Sequence, residues 1–236
     1  NKYLEIAIKI ANFLTTLNVY EDSDSLCFYY TTALKNKIYN ASAHAAAFLG
    51  RLYSHTSNKE YLPIVHRAFR YVIKNQNQDG SWYYGQSHDG STLKLVDYHQ
   101  GFIIDALYCY LKYVDNNQIY LDSLHKAALF YKEHQFSPEG KSVFRYPKRW
   151  PVDIHNQAQG IITFKLIQEM VPIFSGFSEI IAKWTVNNMY DYNSKCFYYQ
   201  KWPFYMNKIS YTRWNQAWML YAISCMLDNT RDSKAT

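Results

Sequence analysis

Apolar residues recur along this chain at helical spacing. Leu62, Val65, Phe69, Val72 and Ile73 fall on one face of a helix. Similar spacing predicts helices near 2–17, 60–75, 120–134 and 177–190. Four other stretches, near 40–54, 98–114, 154–170 and 213–227, are apolar almost all round, which predicts helices buried on both sides. Asp and Asn at the starts of these buried helices suit N-caps. Pro63 falls in a first turn, where a missing N–H costs nothing. Pro172 closes the third buried helix.

The pattern repeats. Asp24-Ser25-Leu26-Cys27-Phe28-Tyr29-Tyr30 matches Asn193-Ser194-Lys195-Cys196-Phe197-Tyr198-Tyr199 at an offset of 169. The segments "NASAHAAAFLGRLY" from Asn40, "DYHQGFIIDALYCY" from Asp97, "DIHNQAQGIITFKL" from Asp153 and "TRWNQAWMLYAISC" from Thr212 share one layout, and their starts step by 57, 56 and 59. Each opens polar and turns apolar with small residues. A period of this size is the mark of a repeat architecture. The chain therefore reads as one all-α domain, 1–236, of four helical hairpins of about 57 residues. Each hairpin runs outer helix, aromatic turn, inner helix.

Composition adds an aromatic bias. There are 24 Tyr, 13 Phe and 6 Trp, 18% of the chain. Tyr and Trp offer flat apolar faces with a polar handle, which suits sugar rings; a compositionally biased genome gives the same excess. The net charge is +6, with no run of basic residues. A nucleic-acid footprint needs clustered Lys and Arg, so no nucleic-acid partner is expected. Cys27, Cys109, Cys196 and Cys225 form no CxxC pair and no zinc-finger spacing, and read as buried free thiols. No metal or cofactor is expected. No signal peptide or 18-residue apolar run is present, so membrane insertion is not expected. The chain begins with Asn rather than Met, as a piece of a longer protein would.

One motif is specific. Arg67-Ala68-x-x-Tyr71-Val72-x-x-x-Gln76-x-x-x-Gly80-x-Trp82 resembles the QW repeat of terpenoid cyclases. Lys126, Ala127, Phe130 and Gln135 repeat it imperfectly, with Gly140 one residue late and no Trp. The resemblance implies an α/α toroid: an incomplete ring, an open arc, or a fragment of a longer one. It also implies that Gln76 satisfies free backbone groups at a helix end and that Trp82 stacks over the junction. The segment "KNQNQDGSWYYG" (74–85) is then a structural staple and not an active site. The cyclase acid motifs are missing, since "EDSDS" (21–25) lacks consecutive acids and no DDxxD occurs. The Tyr-rich loops and polar inner-helix starts are more similar to carbohydrate-active toroids. These are six-hairpin glycosidases, the C-terminal domain of glucuronyl C5-epimerases and toroid proteins of bacterial polysaccharide biosynthesis. Asp97-Tyr98-His99 resembles a W-D-Y-H segment of the epimerase domain.

Candidate chemistry gathers at the starts of the inner helices, where partial positive charge and free N–H groups favour hydroxylated or anionic ligands. Two D-x-H units stand there, Asp97 with His99 and Asp153 with His155. An Asp beside a His orients the ring for acid/base work. Two carboxylates facing across a pocket serve glycoside hydrolysis. These four are the candidate catalytic residues; as plain helix caps and polar neighbours they would be structural. His155 is expected to face a solvent-filled pocket with His99 and Arg213. The candidate substrate-binding residues are Asn40, His44, Tyr98, Gln100, Asn156, Gln157, Arg213, Trp214 and Asn215. Arg213 suits a carboxylate or phosphate, and Trp214 a sugar face. His55, His66, His88, His125 and His134 read as surface.

The function expected is a carbohydrate-active protein of bacterial surface-polysaccharide metabolism that binds or acts on an acidic, uronate-containing oligo- or polysaccharide. An enzyme of this kind would be a glycoside hydrolase or a uronate epimerase or lyase. It is expected in the cytoplasm, with the periplasm or cell envelope as the alternative. The rival readings are a non-catalytic toroid scaffold in a polysaccharide-assembly machine and a terpenoid or prenyl-transfer enzyme.

Overall fold

The computed structural model describes residues 2–227. It is mainly helical and divides into two compact units, Asn1–Leu129 and Phe130–Thr236. Unit 1 holds α1 (Lys2–Thr15), α2 (Tyr39–Thr56), α3 (Tyr61–Lys74) and α4 (His99–Tyr113). Helix α5 (Gln118–Gln135) runs through the junction. Unit 2 holds α6 (Ile154–Ile167), α7 (Phe177–Met189) and α8 (Trp218–Leu227). The outer helices read from the sequence are α1, α3, α5 and α7. The inner ones are α2, α4, α6 and α8.

Side-chain size explains the packing within each unit. Helix α3 buries Val65, Ala68, Phe69 and Val72 completely, and each large apolar side chain so buried stabilises the fold by about 1.5–3 kcal/mol. Its polar face carries Arg67 and Lys74, which reach Glu21 and Asp22. Helix α2 packs against α3 and α4. It carries Ala43, Ala46, Ala47 and Gly50 on its buried surface. A Cβ on Gly50 would lie 2.7 Å from a Val114 methyl, so this close approach excludes any side chain. In unit 2, α6 packs against α7 and α8, and all but Lys165 and Leu166 of its residues are buried.

Very short strands join the helices, and they repeat between the units. Hairpin β1 (Val19–Glu21) with β2 (Leu26–Phe28) in unit 1 has its counterpart in β7 (Tyr190–Asp191) with β8 (Cys196–Phe197) in unit 2. This is the Cys-Phe-Tyr-Tyr repeat of the sequence in folded form. Strand β3 (Lys37–Ile38) leads into α2 and pairs with β4 (Gly85–Gln86), which pairs with β5 (Thr92–Leu93). Strand β6 (Val152–Asp153) leads into α6 and pairs with β9 (Gln200–Lys201), which pairs with β10 (Met206–Asn207).

The 74–85 segment is a staple. Gln76 Nε2 donates to the carbonyls of Gly80 and Ser123, both at 3.0 Å. Ser123 Oγ donates back to Gln76 Oε1 at 2.8 Å. The Trp82 indole is fully buried and donates to the carbonyl of Val72 in the last turn of α3, which also accepts the Asn75 N–H. Gly80 has φ +91°, and a Cβ there would stand 2.4 Å from the Lys126 carbonyl oxygen. The imperfect copy builds the same turn around Gly140, also at positive φ.

Several local expectations change. Asn40 does not cap α2; Ile38 precedes the helix in extended conformation, and Asn40 lies inside the first turn. Pro172 does not close α6, which ends at Ile167; it opens a separate 3-10 turn, Pro172–Phe174. The last inner helix begins as a π-helix, Thr212–Ala217. Nor is α8 buried on both sides, since Leu220, Tyr221 and Leu227 are exposed. Of the four thiols only Cys27 is buried, and burial pushes it up to about 12. His66 is half-buried, with Nδ1 2.8 Å from the Tyr110 hydroxyl. No helix among the described residues is long and apolar enough to cross a membrane.

Candidate functional site

In unit 1 the candidate residues gather around the starts of α2 and α4. Asp97 is 3% exposed and caps α4 by accepting the backbone N–H of His99 at 3.1 Å. The same oxygen, Oδ1, lies 2.5 Å from His99 Nδ1. The carboxylate therefore holds the imidazole proton on Nδ1 and leaves Nε2 to accept or deliver a proton. The His99 side chain keeps 17% of its surface open. Its walls are aromatic: Tyr98 stacks on it at 4.2 Å, and Tyr84 and Phe102 present their rings at 4.8 and 5.9 Å. Across Phe102 stands His44 on α2, at 5.2 Å from that ring. His44 is exposed at its edge, and the protein packed around its ring, with the neighbouring His99, lowers its proton affinity. Asn40, one turn before His44, has an enclosed Oδ1 with no hydrogen-bond partner among the described residues.

Unit 2 spells the same D-x-H but folds it differently. Asp153 is the N-cap of α6 and accepts the backbone N–H of His155 at 2.9 Å. Its carboxylate also accepts from Gln200 Nε2 at 2.8 Å and from the Trp214 indole at 3.1 Å. Burial raises the carboxyl above its ordinary value, while those N–H donors pull the other way. His155 does not lie in an open pocket: it is 4% exposed, stacked on Trp218 at 4.7 Å and edged by Trp214 at 4.4 Å. The π-turn at 212–217 sets Trp214 against Asp153 and leaves Arg213 exposed to solvent.

Four of the candidate binding residues are engaged with backbone. Gln100 exchanges two hydrogen bonds with the main chain of Trp82. Gln157 accepts from the N–H of Ser142 and donates to the carbonyl of Gly140. Asn156 donates to the carbonyls of Val143 and Phe144, and Asn215 to those of Phe197 and Ile209. Gln216 clamps Phe197 in the same way as Gln100 clamps Trp82. These amides tie each aromatic turn to its inner helix. Their signal in the sequence was there: Gln100, Gln157 and Gln216 recur with the repeat in three of the four hairpins, and in the first Ser42 Oγ accepts the Phe28 N–H instead.

An open apolar groove of about 540 Å³ lies between α7 and α8, lined by Val186, Tyr190, Phe197, Leu220 and Ile223. It suits apolar contact and holds none of the candidate catalytic residues. No group of three or more His, Cys, Asp or Glu among the described residues could hold a metal ion.

No protein-family model matches the chain, and no curated protein matches it by sequence. Solved structures do. A GH76 α-mannanase from Bacteroides thetaiotaomicron matches with TM-score 0.73 and 16% identity over 95% of this chain and 63% of that one. Cellobiose 2-epimerase from Bacillus thermoamylovorans matches with TM-score 0.72 and 13% identity over 98% and 68%. The unsaturated glucuronyl hydrolase of Bacillus sp. GL1, named for the degradation of glycosaminoglycan, matches with TM-score 0.64 and 14% identity over 82% and 59%. The chain thus spans 59–68% of the length of these three structures. All three are α/α-toroid enzymes that act on carbohydrate, and the fold of this chain is theirs: an all-α, α/α-toroid fold.

Proposed function

We propose that this chain recognises an oligosaccharide at the start of α4, with Asp97 and His99 as the acid/base pair of that site. The observation that carries the reading is the Asp97–His99 contact within a partly open aromatic wall. A buried carboxylate that fixes one imidazole nitrogen leaves the other free to face a substrate. Flat Tyr faces beside it suit the apolar side of a sugar ring, and the orphan oxygen of Asn40 suits a hydroxyl donor. The carbohydrate activities of the similar structures support the same reading. The ligand class is an acidic, uronate-containing glycan, and the setting is bacterial surface-polysaccharide metabolism. In the catalytic form of the reading, the chemistry is glycosidic cleavage or proton abstraction from a uronate.

Calorimetric titration with neutral and uronate oligosaccharides tests it. The wild-type chain should bind at least one of them. His99→Ala should weaken that binding about tenfold, a loss of roughly 1.4 kcal/mol, with an unchanged circular dichroism spectrum. Failure to bind any member of the panel, or equal binding by His99→Ala, would reject the reading.

A further inference from the structure

Two hairpins occupy matching places in the two units. In unit 1, β4 and β5 are joined by Ser87-His88-Asp89-Gly90-Ser91, closed by Ser87 N–H donating to the Ser91 carbonyl at 2.9 Å. In unit 2, β9 and β10 are joined by Trp202-Pro203-Phe204-Tyr205, closed by Trp202 N–H donating to the Tyr205 carbonyl at 2.9 Å. The polar tip shows that the hairpin itself needs no aromatic residue. Yet Phe204 is fully exposed and Tyr205 is 58% exposed. The rings of Trp202 and Tyr205 lie nearly parallel, 10° apart with centroids at 5.7 Å. The Trp202 indole Nε1 is enclosed and has no hydrogen-bond partner among the described residues. Aromatic side chains exposed together on one tip, rather than scattered singly, are the kind of surface that interaction sites use.

The charge around this tip is one-sided. Residues 141–151 carry Lys141, Arg145, Lys148 and Arg149 and no acid; residues 199–211 carry Lys201 and Lys208 and no acid. The β6–β9 ladder sets Val152 against Lys201. That pair ends the antiparallel ladder, so Lys148 and Arg149, which precede it, and the aromatic tip, which follows it, leave the ladder at the same end, and both cations are exposed. Gln200, at the base of the hairpin, donates to Asp153.

We propose that the β9–β10 tip and the 145–150 loop form a rim that binds a uronate-containing saccharide. Lys148 and Arg149 would pair with its carboxylates, and Phe204 and Tyr205 would stack on its rings. The proposal rests on the glycan reading above and adds to it a separate anionic subsite. Stacking without charge would suit a neutral sugar, and charge without stacking would suit any polyanion. The two together favour a carboxylated one.

The test is calorimetric titration of the described chain with tetragalacturonate, with its fully methyl-esterified form, with a single-stranded oligonucleotide and with vesicles of anionic phospholipid. The wild type should bind the acid form about tenfold more tightly than the ester, roughly two exposed charge contacts' worth. The double variant Lys148→Ala/Arg149→Ala should erase that preference and leave ester binding unchanged. Phe204→Ala, at a fully exposed position, should weaken both forms about fivefold. Equal binding of the acid form by wild type and both variants overturns the rim while leaving the glycan reading in place. Binding of neither saccharide overturns both. Tighter binding of the oligonucleotide or of the vesicles, lost in the double variant, overturns the saccharide assignment in favour of that ligand.

Discussion

The carboxylate of Asp97 touches His99 twice, at the backbone N–H at 3.1 Å and at ring Nδ1 at 2.5 Å. One oxygen thus caps α4 and orients the imidazole. Asp97→Asn separates the two roles, because an amide oxygen still accepts the backbone N–H while the negative charge beside the ring is gone. The melting temperature should stay within a few degrees of wild type, since the cap is kept. Turnover of a processed glycan should fall roughly 100-fold, the scale of a disabled acid/base group. Thermal denaturation and a reducing-end assay check the two halves separately.

Gly80 tests the structural reading of the aromatic turn. Gly80→Ala would place a Cβ 2.4 Å from the Lys126 carbonyl oxygen at φ +91°. Backbone lies on both sides of that clash, so the cost should be about 3 kcal/mol or more. Gly90, at φ +87° but with nothing within 4 Å of its virtual Cβ, is the control. Its Ala variant should lose only about 1 kcal/mol. Urea denaturation compares them. A Gly80→Ala chain as stable as Gly90→Ala would contradict the staple.

His155 lies between two indoles, so its removal should act on stability. His155→Ala leaves a cavity against Trp214 and Trp218 and should cost about 2–3 kcal/mol. His155→Phe should recover most of that loss. Tryptophan fluorescence followed through urea denaturation reports both, and an Ala variant of wild-type stability would place His155 outside the core.

Asp153 should give the fold a pH dependence. Burial holds its folded-state carboxyl above the ordinary 3.8, so the folded chain binds this proton more readily than the unfolded chain. Asp153 therefore favours the folded state most at low pH. That contribution is lost as pH rises from the ordinary value through the raised one. Asp153→Asn carries no charge at any pH. Its stability relative to wild type should increase as pH rises above the ordinary carboxyl value. A difference that is flat or falls over that range would show that the N–H donors outweigh burial.

The helices were legible because their apolar positions persist over several turns, as in Val65, Phe69 and Val72 of α3. The staple was legible because Gln76, Gly80 and Trp82 each have a residue-specific task at fixed spacing. The strands were not, since two or three residues cannot display an alternating pattern. Nor was the difference between the two D-x-H units. Asp97 and Asp153 both cap a helix. What divides their histidines is set from far along the chain: Tyr84 and Phe102 leave His99 partly open, while Trp214 and Trp218 enclose His155. The π-turn that brings Trp214 onto Asp153 has no local signature either, because Thr212–Ala217 reads as ordinary helix. Spacing names the residues at a helix start, and distant packing decides which of them reaches solvent.

A saccharide that docks against His99 must perturb its imidazole ring. Histidine-ring NMR of the chain, with imidazoles assigned through His99→Ala and His44→Ala, measures this at the residue concerned. On titration with an oligouronate the His99 ring signals should shift in step with calorimetric saturation, and those of exposed His125 on α5 should stay in place. Unchanged His99 signals at a saccharide concentration that saturates the chain would contradict the account.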